Sequence, residues 1–151
     1  VRLMEKCRGK FESFLDVGIG TGILAITASK LGARRIFGID HDKGSIKVAK
    51  ENLVRNGIRN ACVRYGDITA TRLPFMRRFD LVAANLLSRT LIDSRSRIVL
   101  RVKKKGYLIV SGIARRNLKD FLRDFKLPVL RCIKTLRGRS WAACLYRRDI
   151  S

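Results

Sequence analysis

The 151 residues include only two prolines, one histidine, one tryptophan and four cysteines, and the 12 Asp+Glu are far outnumbered by 34 Lys+Arg. Each scarcity excludes something. The single histidine and the wide spacing of Cys7, Cys62, Cys132 and Cys144, with no CxxC, exclude a zinc site, so no metal is expected. Cys132 and Cys144 are equidistant from Gly138 in a candidate hairpin, and they are read as two reduced core thiols rather than a disulfide. Long apolar runs are also missing. Arg or Lys interrupts every stretch before the roughly 18 residues that a membrane-spanning helix needs, and Val1-Arg2-Leu3-Met4-Glu5-Lys6 lacks the apolar core of a signal peptide. The expectation is a cytoplasmic protein, a monomer with no membrane partner.

What is present is apolar enough to fold. At 46% hydrophobic residues and without low-complexity tracts, the chain reads as one domain over residues 1–151 rather than as a disordered polyelectrolyte. The formal charge of +22 is uneven, with 14 basic and 7 acidic residues up to residue 75 but 20 basic and 5 acidic after it. Such a field attracts RNA, DNA or acidic proteins. The plainer alternative is a solvated surface that serves solubility.

Short apolar runs alternate with helical stripes. Strands are expected at Phe11–Val17, Arg35–Asp40, Ala61–Tyr65, Phe79–Ala84 and Tyr107–Ser111. Helices are expected at Gly22–Leu31, Lys43–Asn56, about Thr90–Val102 and Ala114–Lys126. Val129–Leu136 and Ser140–Arg147 then flank Arg137-Gly138-Arg139 as a closing hairpin. This order predicts an α/β fold, Rossmann-like and doubly wound. Its seven-stranded sheet is mostly parallel and ends in a C-terminal antiparallel hairpin.

Chemistry concentrates at the strand ends. Leu15-Asp16-Val17-Gly18-Ile19-Gly20-Thr21-Gly22 runs from a strand through a glycine loop into a helix, where a ligand can approach bare backbone and free N–H groups. A dinucleotide fingerprint would continue GxGxxG or GxGxxA, but Ile23 follows Gly22. GxGxG after an acid is the form found in S-adenosylmethionine-dependent methyltransferases. Asp40, at the end of the second strand, is placed to accept both hydroxyls of a ribose. His41 beside it reads as an adenine-flanking or surface side chain, and Asp42 as a helix cap. In Gly66-Asp67-Ile68 the acid is placed to accept from an adenine amino group, while the Ile68 backbone donates to the ring. Asp16, Asp40 and Asp67 are expected to converge on one crevice at the carboxyl edge of the sheet. Asn85, after the fourth strand, sits where a methyl acceptor would enter and would orient an incoming amine. Asn is also a routine turn residue at such a place.

Taken together, LDVGIGTGILAI, GIDHD, NLVRNG, FDLVAANLL, GYLIVSGI and RSWAACLYRR closely resemble the PrmA family, methyltransferases of large-subunit ribosomal protein eleven. The likeness runs in order from Arg2 to Arg148. NLL after strand four, Ser111-Gly112-Ile113 after strand five and Trp141 in the last hairpin are its most specific parts. The resemblance implies S-adenosylmethionine held by Asp16, Gly18, Gly20, Gly22, Asp40, His41, Asp67, Ile68 and Asn85. It also implies that Asn85 positions a protein amine, lysine or N-terminal, on a ribosomal or ribosome-associated protein. The family's separate amino-terminal recognition domain and the His/Thr-rich loop before its first helix have no counterpart in these residues, and Lys103-Lys104-Lys105-Gly106 stands where the family has a Pro-Gly turn. Two other readings stay open, an RNA methyltransferase and a catalytically inert cofactor- or polyanion-binding module. The basic surface adds an expected RNA contact, with Lys103-Lys104-Lys105 and Arg115-Arg116 as its candidates.

Overall fold

The computed structural model describes residues 1–70 and 73–149. Helix α1 (Arg2–Glu5) precedes β1 (Ser13–Val17), α2 (Ile23–Lys30), β2 (Arg35–Asp40), α3 (Lys43–Arg55), β3 (Ala61–Tyr65) and β4 (Phe79–Asn85). Then follow α4 (Ser88–Asp93), α5 (Arg95–Leu100), β5 (Val102–Ala114), α6 (Leu118–Asp124), β6 (Leu130–Arg137) and β7 (Trp141–Arg148). The strands form one seven-stranded sheet in the order β3-β2-β1-β4-β5-β7-β6. β1 to β5 pair in parallel, and β7 is inserted antiparallel between β5 and β6. The expected fold class is the observed one.

Strand alternation feeds two cores. Phe14, Leu81, Ala83, Ile109 and Leu145 point to the face covered by α1, α2 and α3. Leu15, Val17, Val82, Leu108 and Val110 point to the face covered by α4, α5 and α6. Burial on both faces is why the central strands read as nearly unbroken apolar runs. The order of the parallel strands reverses between β1 and β4, so the connections leaving their carboxyl ends turn to opposite faces of the sheet and leave a crevice.

Several expected boundaries are corrected. Thr90–Val102 is not one helix. Ser94 (φ −100°, ψ 4°) breaks it into α4 and α5, and the Arg95 guanidinium takes the Ile92 carbonyl at 2.7 Å. Val102 already belongs to β5, opposite Phe79. Lys103-Lys104-Lys105 is therefore a bulge within β5 rather than a turn before it. Phe79 faces Val102 but Leu81 faces Tyr107, and Lys105 sits at φ 62°. The bulge is anchored by Lys103 Nζ, which donates to Asp80 Oδ1 at 2.7 Å. At the other end of β5, the Arg115 N–H still donates to Ser140 O (2.8 Å). A single 3-10 turn over Arg115–Asn117 intervenes before α6, so the helix starts four residues later than expected.

The hairpin also corrects the cysteine reading. A register shift between Cys132 and Lys134 sets Cys132 opposite Tyr146 and Cys144 opposite Thr135. Both thiols are free, as expected, but only Cys144 is in the core. Cys132 is exposed.

Among the described residues no helix is long and apolar enough to cross a membrane. Nor does any group of three or more His, Cys, Asp or Glu there have the arrangement of a metal site.

Candidate functional site

The loop after β1 is fixed from below by β2, because the N–H groups of Gly18 and Ile19 both donate to the Ile39 carbonyl at 2.9 Å. Gly18, Gly20 and Gly22 all have positive φ, at 75°, 53° and 84°. The three serve different ends. A side chain at Gly18 would strike Leu86, and Gly22 lies against the Ala49 backbone of α3. At Gly20 an added Cβ would meet nothing within 4 Å, so the turn leaves open space where a ligand can press on backbone.

Asp40, only 8% exposed, closes this loop. Its Oδ2 accepts from Gly20 N and its Oδ1 from Asp42 N, both at 3.0 Å, and the exposed His41 places Nδ1 3.5 Å from Oδ1. The carboxylate is thereby held in one orientation, with lone pairs left for a ligand. Asp42 is the helix cap it was expected to be. Its carboxylate accepts from Ser45 N (2.8 Å) and Gly44 N (3.1 Å), and these donors hold its pKa below the usual value. Asp67 Oδ1 accepts from the Thr69 N–H (2.8 Å) and hydroxyl (2.7 Å), which hold this carboxyl below its usual range too, while Oδ2 is left for other partners. Asp40, His41, Asp67, Ile68, Leu86 and Leu87 line a cavity of about 320 Å³, within the range of small-molecule sites.

Asp16 departs from the expected convergence. Its side chain follows Phe14 onto the α2 face of the sheet, 1% exposed, and does not line the cavity. Burial pushes its carboxyl well above the ordinary range. The nearby Ala25 amide in the first turn of α2 partly opposes this, yet among the described residues neither oxygen completes a hydrogen bond. Two of the three strand-end acids reach the crevice, and the third sits beneath the glycine loop.

On the other side of Leu86 and Leu87 lies a second, open cavity of about 820 Å³, lined by Arg2, Asn85, Ser111, Gly112, Arg137 and Trp141 among others. Leu86 and Leu87 line both cavities and form the partition between them. Asn85 ends β4 directly opposite Ser111 of β5, whose hydroxyl donates to Asn85 Oδ1 at 3.0 Å. Gly112 (φ 85°) follows, and a Cβ there would collide with the Leu86 carbonyl. Ser111 and Gly112 border this cavity, and the spacing of charged and polar residues did not single them out. The only signal for them was the SGI motif, whose two parts now have physical tasks: one orients Asn85, the other makes room for the partition. The cavity also contains an aromatic plane, Trp141, which sequence order alone did not bring near Asn85.

The donors and acceptors around the first cavity suit an adenosine-bearing sulfonium. Asp40 is an oriented acceptor for a diol, Asp67 offers an acceptor beside an apolar wall, and Gly20 leaves open space against bare backbone. The open turn at Gly20 and the pinned Asp40 are what a ligand of this kind requires.

Comparison with known proteins points the same way. The sequence profile of the PrmA family, ribosomal protein L11 methyltransferase, matches residues 1–149. The ribosomal protein L11 methyltransferase of Acetivibrio thermocellus is 35% identical over 133 residues, which cover 88% of this chain and 42% of that protein. The one from Desulfosudis oleivorans is 42% identical over 118 residues, covering 75% of this chain and 38% of that protein. The chain thus spans less than half the length of these curated relatives. Among solved structures, ribosomal protein L11 methylase from Lactobacillus delbrueckii subsp. bulgaricus superposes with a TM-score of 0.88 at 29% identity, over 97% of this chain and 74% of that one. The N-methyltransferase NodS of Bradyrhizobium japonicum, in complex with S-adenosyl-L-homocysteine, shares the fold alone, with a TM-score of 0.77 at 15% identity over 97% of this chain and 83% of that one. With the family profile matched along almost its whole length, the chain belongs to the ribosomal protein L11 methyltransferase (PrmA) family.

Proposed function

We propose that this chain is the S-adenosylmethionine-binding, methyl-transferring part of a cytoplasmic enzyme whose acceptor is a protein amine, lysine or N-terminal, on ribosomal protein L11 or a ribosome-associated protein. The observation that carries the reading is the pair of cavities divided by Leu86 and Leu87, with the glycine loop on one side and Asn85 on the other.

Asp40 would hold the ribose hydroxyls, Asp67 and Ile68 the adenine, and the Gly18–Gly22 turn the amino-acid end of the cofactor. When bound, the cofactor supplies an electrophilic methyl group on a positively charged sulfur. The protein's share is alignment and exclusion of water. Ser111 fixes Asn85 Oδ1, which retains a lone pair to accept an N–H of the incoming amine and aim its nitrogen. Leu86, Leu87 and Leu136 give the cavity an aliphatic wall suited to a lysine stem. The amine must be neutral to attack. Arg2 and Arg137 in the lining disfavour a further cation beside them and so favour the deprotonated form. Among the described residues no carboxylate or histidine lines this cavity, and its open mouth lets water take the proton.

One observation favours RNA as a second acceptor class, since Trp141 offers a plane for stacking a base. Incubating the protein with radiolabelled S-adenosylmethionine and whole ribosomes, then separating protein from RNA, decides between them. Label in the protein fraction is expected. Label confined to RNA overturns the amine reading, and label in neither, with cofactor binding intact, favours the inert binding module or a chain that acts only together with a further domain.

A further inference from the structure

Beside the acceptor cavity lies a third one, about 680 Å³, lined by Ala114, Arg115, Arg116, Arg139, Ser140 and Trp141. Half of its lining residues are arginines, and none is an acid. The sheet assembles it from distant parts of the sequence. Ala114 of β5 pairs with Trp141 of β7, the Arg115 N–H donates to Ser140 O at 2.8 Å, and Arg115 Nη1 reaches toward the Gly138 carbonyl at 3.4 Å. Among the described residues, the ion pairs of the structure leave Arg115, Arg116, Arg137 and Arg139 without a carboxylate. Trp141 is 59% exposed and lines both this cavity and the acceptor cavity.

An exposed indole flanked by arginines free of carboxylates is a poor contribution to folding. It has the two parts that single-stranded nucleic acid binding needs, a stacking platform and cations for phosphates. We infer that this face is a docking site for single-stranded RNA, with a base stacked on Trp141 and phosphates on Arg115, Arg116 and Arg139. RNA is favoured over an acidic protein because a free aromatic plane stands among the cations. Because Trp141 also borders the acceptor cavity, RNA held here would keep its bound protein next to Asn85. The structure separates this face from Lys103-Lys104-Lys105, which lies at the opposite end of β5 with Lys103 engaged by Asp80. The two basic clusters do not form one surface.

The inference is independent of methyl transfer, and its test needs no cofactor. Trp141 is the sole tryptophan, so its fluorescence reports on this face and the adjoining acceptor cavity, and variants of Arg115, Arg116 and Arg139 tell the two apart. Titrating the full chain with a 12-nucleotide oligouridine should quench that fluorescence. In anisotropy with labelled oligouridine, Trp141→Ala should weaken binding about 5- to 100-fold, the span expected for losing one stacked base, and Trp141→Phe should recover most of it. Converting Arg115, Arg116 and Arg139 to Glu should weaken binding at least about tenfold and flatten the log–log salt slope by about 2, at roughly 0.7 per phosphate contact. Lys104→Glu with Lys105→Glu should do neither. Oligouridine binding without quenching, or an equal loss from the Lys104/Lys105 variant, overturns the proposal. So does a polyglutamate peptide that quenches Trp141 as tightly as RNA, which would assign the face to an acidic protein. Retained binding of S-adenosylhomocysteine in any of these cases leaves the methyltransferase reading standing.

Discussion

The two cavities that meet at Leu86 and Leu87 are built in different ways. In the glycine-loop cavity the polar groups are carboxylates pinned by backbone N–H groups: Asp40 by Gly20 and Asp42, and Asp67 by Thr69. Across the partition, Asn85 depends on Ser111 and the wall on Gly112, more than twenty residues further on, and the far side is closed by a hairpin that starts later still. The first cavity is smaller and edged by oriented acceptors, whereas the second is larger and more open, with one oriented amide and the cations Arg2 and Arg137 in its lining.

That contrast can be broken from either side. The largest effect is expected at Gly20. Gly20→Val puts a β-branched side chain at φ 53°, in the space a ligand needs. Calorimetry with S-adenosylhomocysteine should then show no binding while Trp141 quenching by oligouridine persists. Cofactor affinity equal to that of the parent chain would reduce the loop to a structural turn.

Asp40→Ala should weaken the same ligand by roughly 1.5–3 kcal/mol, the cost of losing hydrogen bonds to a charged group. An unchanged dissociation constant removes Asp40 from the site.

Asn85→Ala tests the other side of the partition. Cofactor affinity should stay within about twofold, while kcat for methylation of ribosomal protein L11 should fall by about 10- to 50-fold, the equivalent of roughly 1.4–2.3 kcal/mol from one lost positioning bond. Ser111→Ala should shift kcat the same way by less. Equal losses in cofactor affinity would mean that the two cavities act as one.

The smallest effect lies at the far end of the sheet, where neither cavity reaches. Burial alone would raise the Asp80 carboxyl, but Lys103 Nζ and the Ser13 hydroxyl and N–H hold it down to about 2. A carboxyl depressed in the folded state stabilises above its unfolded value, near 4, and that contribution is lost as pH falls from about 4 to 2. Because the group is partly solvated, the loss should be about 1 kcal/mol. Urea titrations at pH 5 and pH 2.5 should show it, and Asp80→Asn should abolish the difference at this site without altering either ligand's affinity.

How much of this was legible in the sequence follows the same division. The Asp42 cap and the Asp67–Thr69 turn are decided by residues a few positions apart, and the glycine loop and Asp40 are joined within one strand–helix–strand unit, so the structure sets Asp40 and Asp67 at the crevice where the sequence implied. Asp16 misled because a strand residue's face depends on the pleat as well as on its position. One residue earlier than the strand end, it points under α2 instead of over the loop. The β5 bulge and the hairpin register were not legible, since each rests on pairing with another strand, and the α4/α5 break interrupts an otherwise continuous helical stripe. Asp80 draws in Lys103, Arg95 takes the Ile92 carbonyl three residues back, and Cys132 is exposed on the terminal strand β6. The aromatic plane of Trp141 beside Asn85 belongs to the same class, because only the insertion of β7 next to β5 brings them together.

The sheet order has a colloidal consequence. Its terminal strands are β3 and β6, and such strands invite a second copy to pair along them. β6 carries exposed Ile133, a sticky residue for such pairing, but also exposed Arg131, Lys134 and Arg137. Arg64 projects from β3. Two copies meeting edge to edge would set like charges against one another at close range, so repulsion guards the edges where no helix covers them. Salt relaxes that guard through the screening that also weakens polyanion binding. Storage buffers of high ionic strength, a common remedy for basic proteins that stick to nucleic acid, should therefore favour slow self-association of this one.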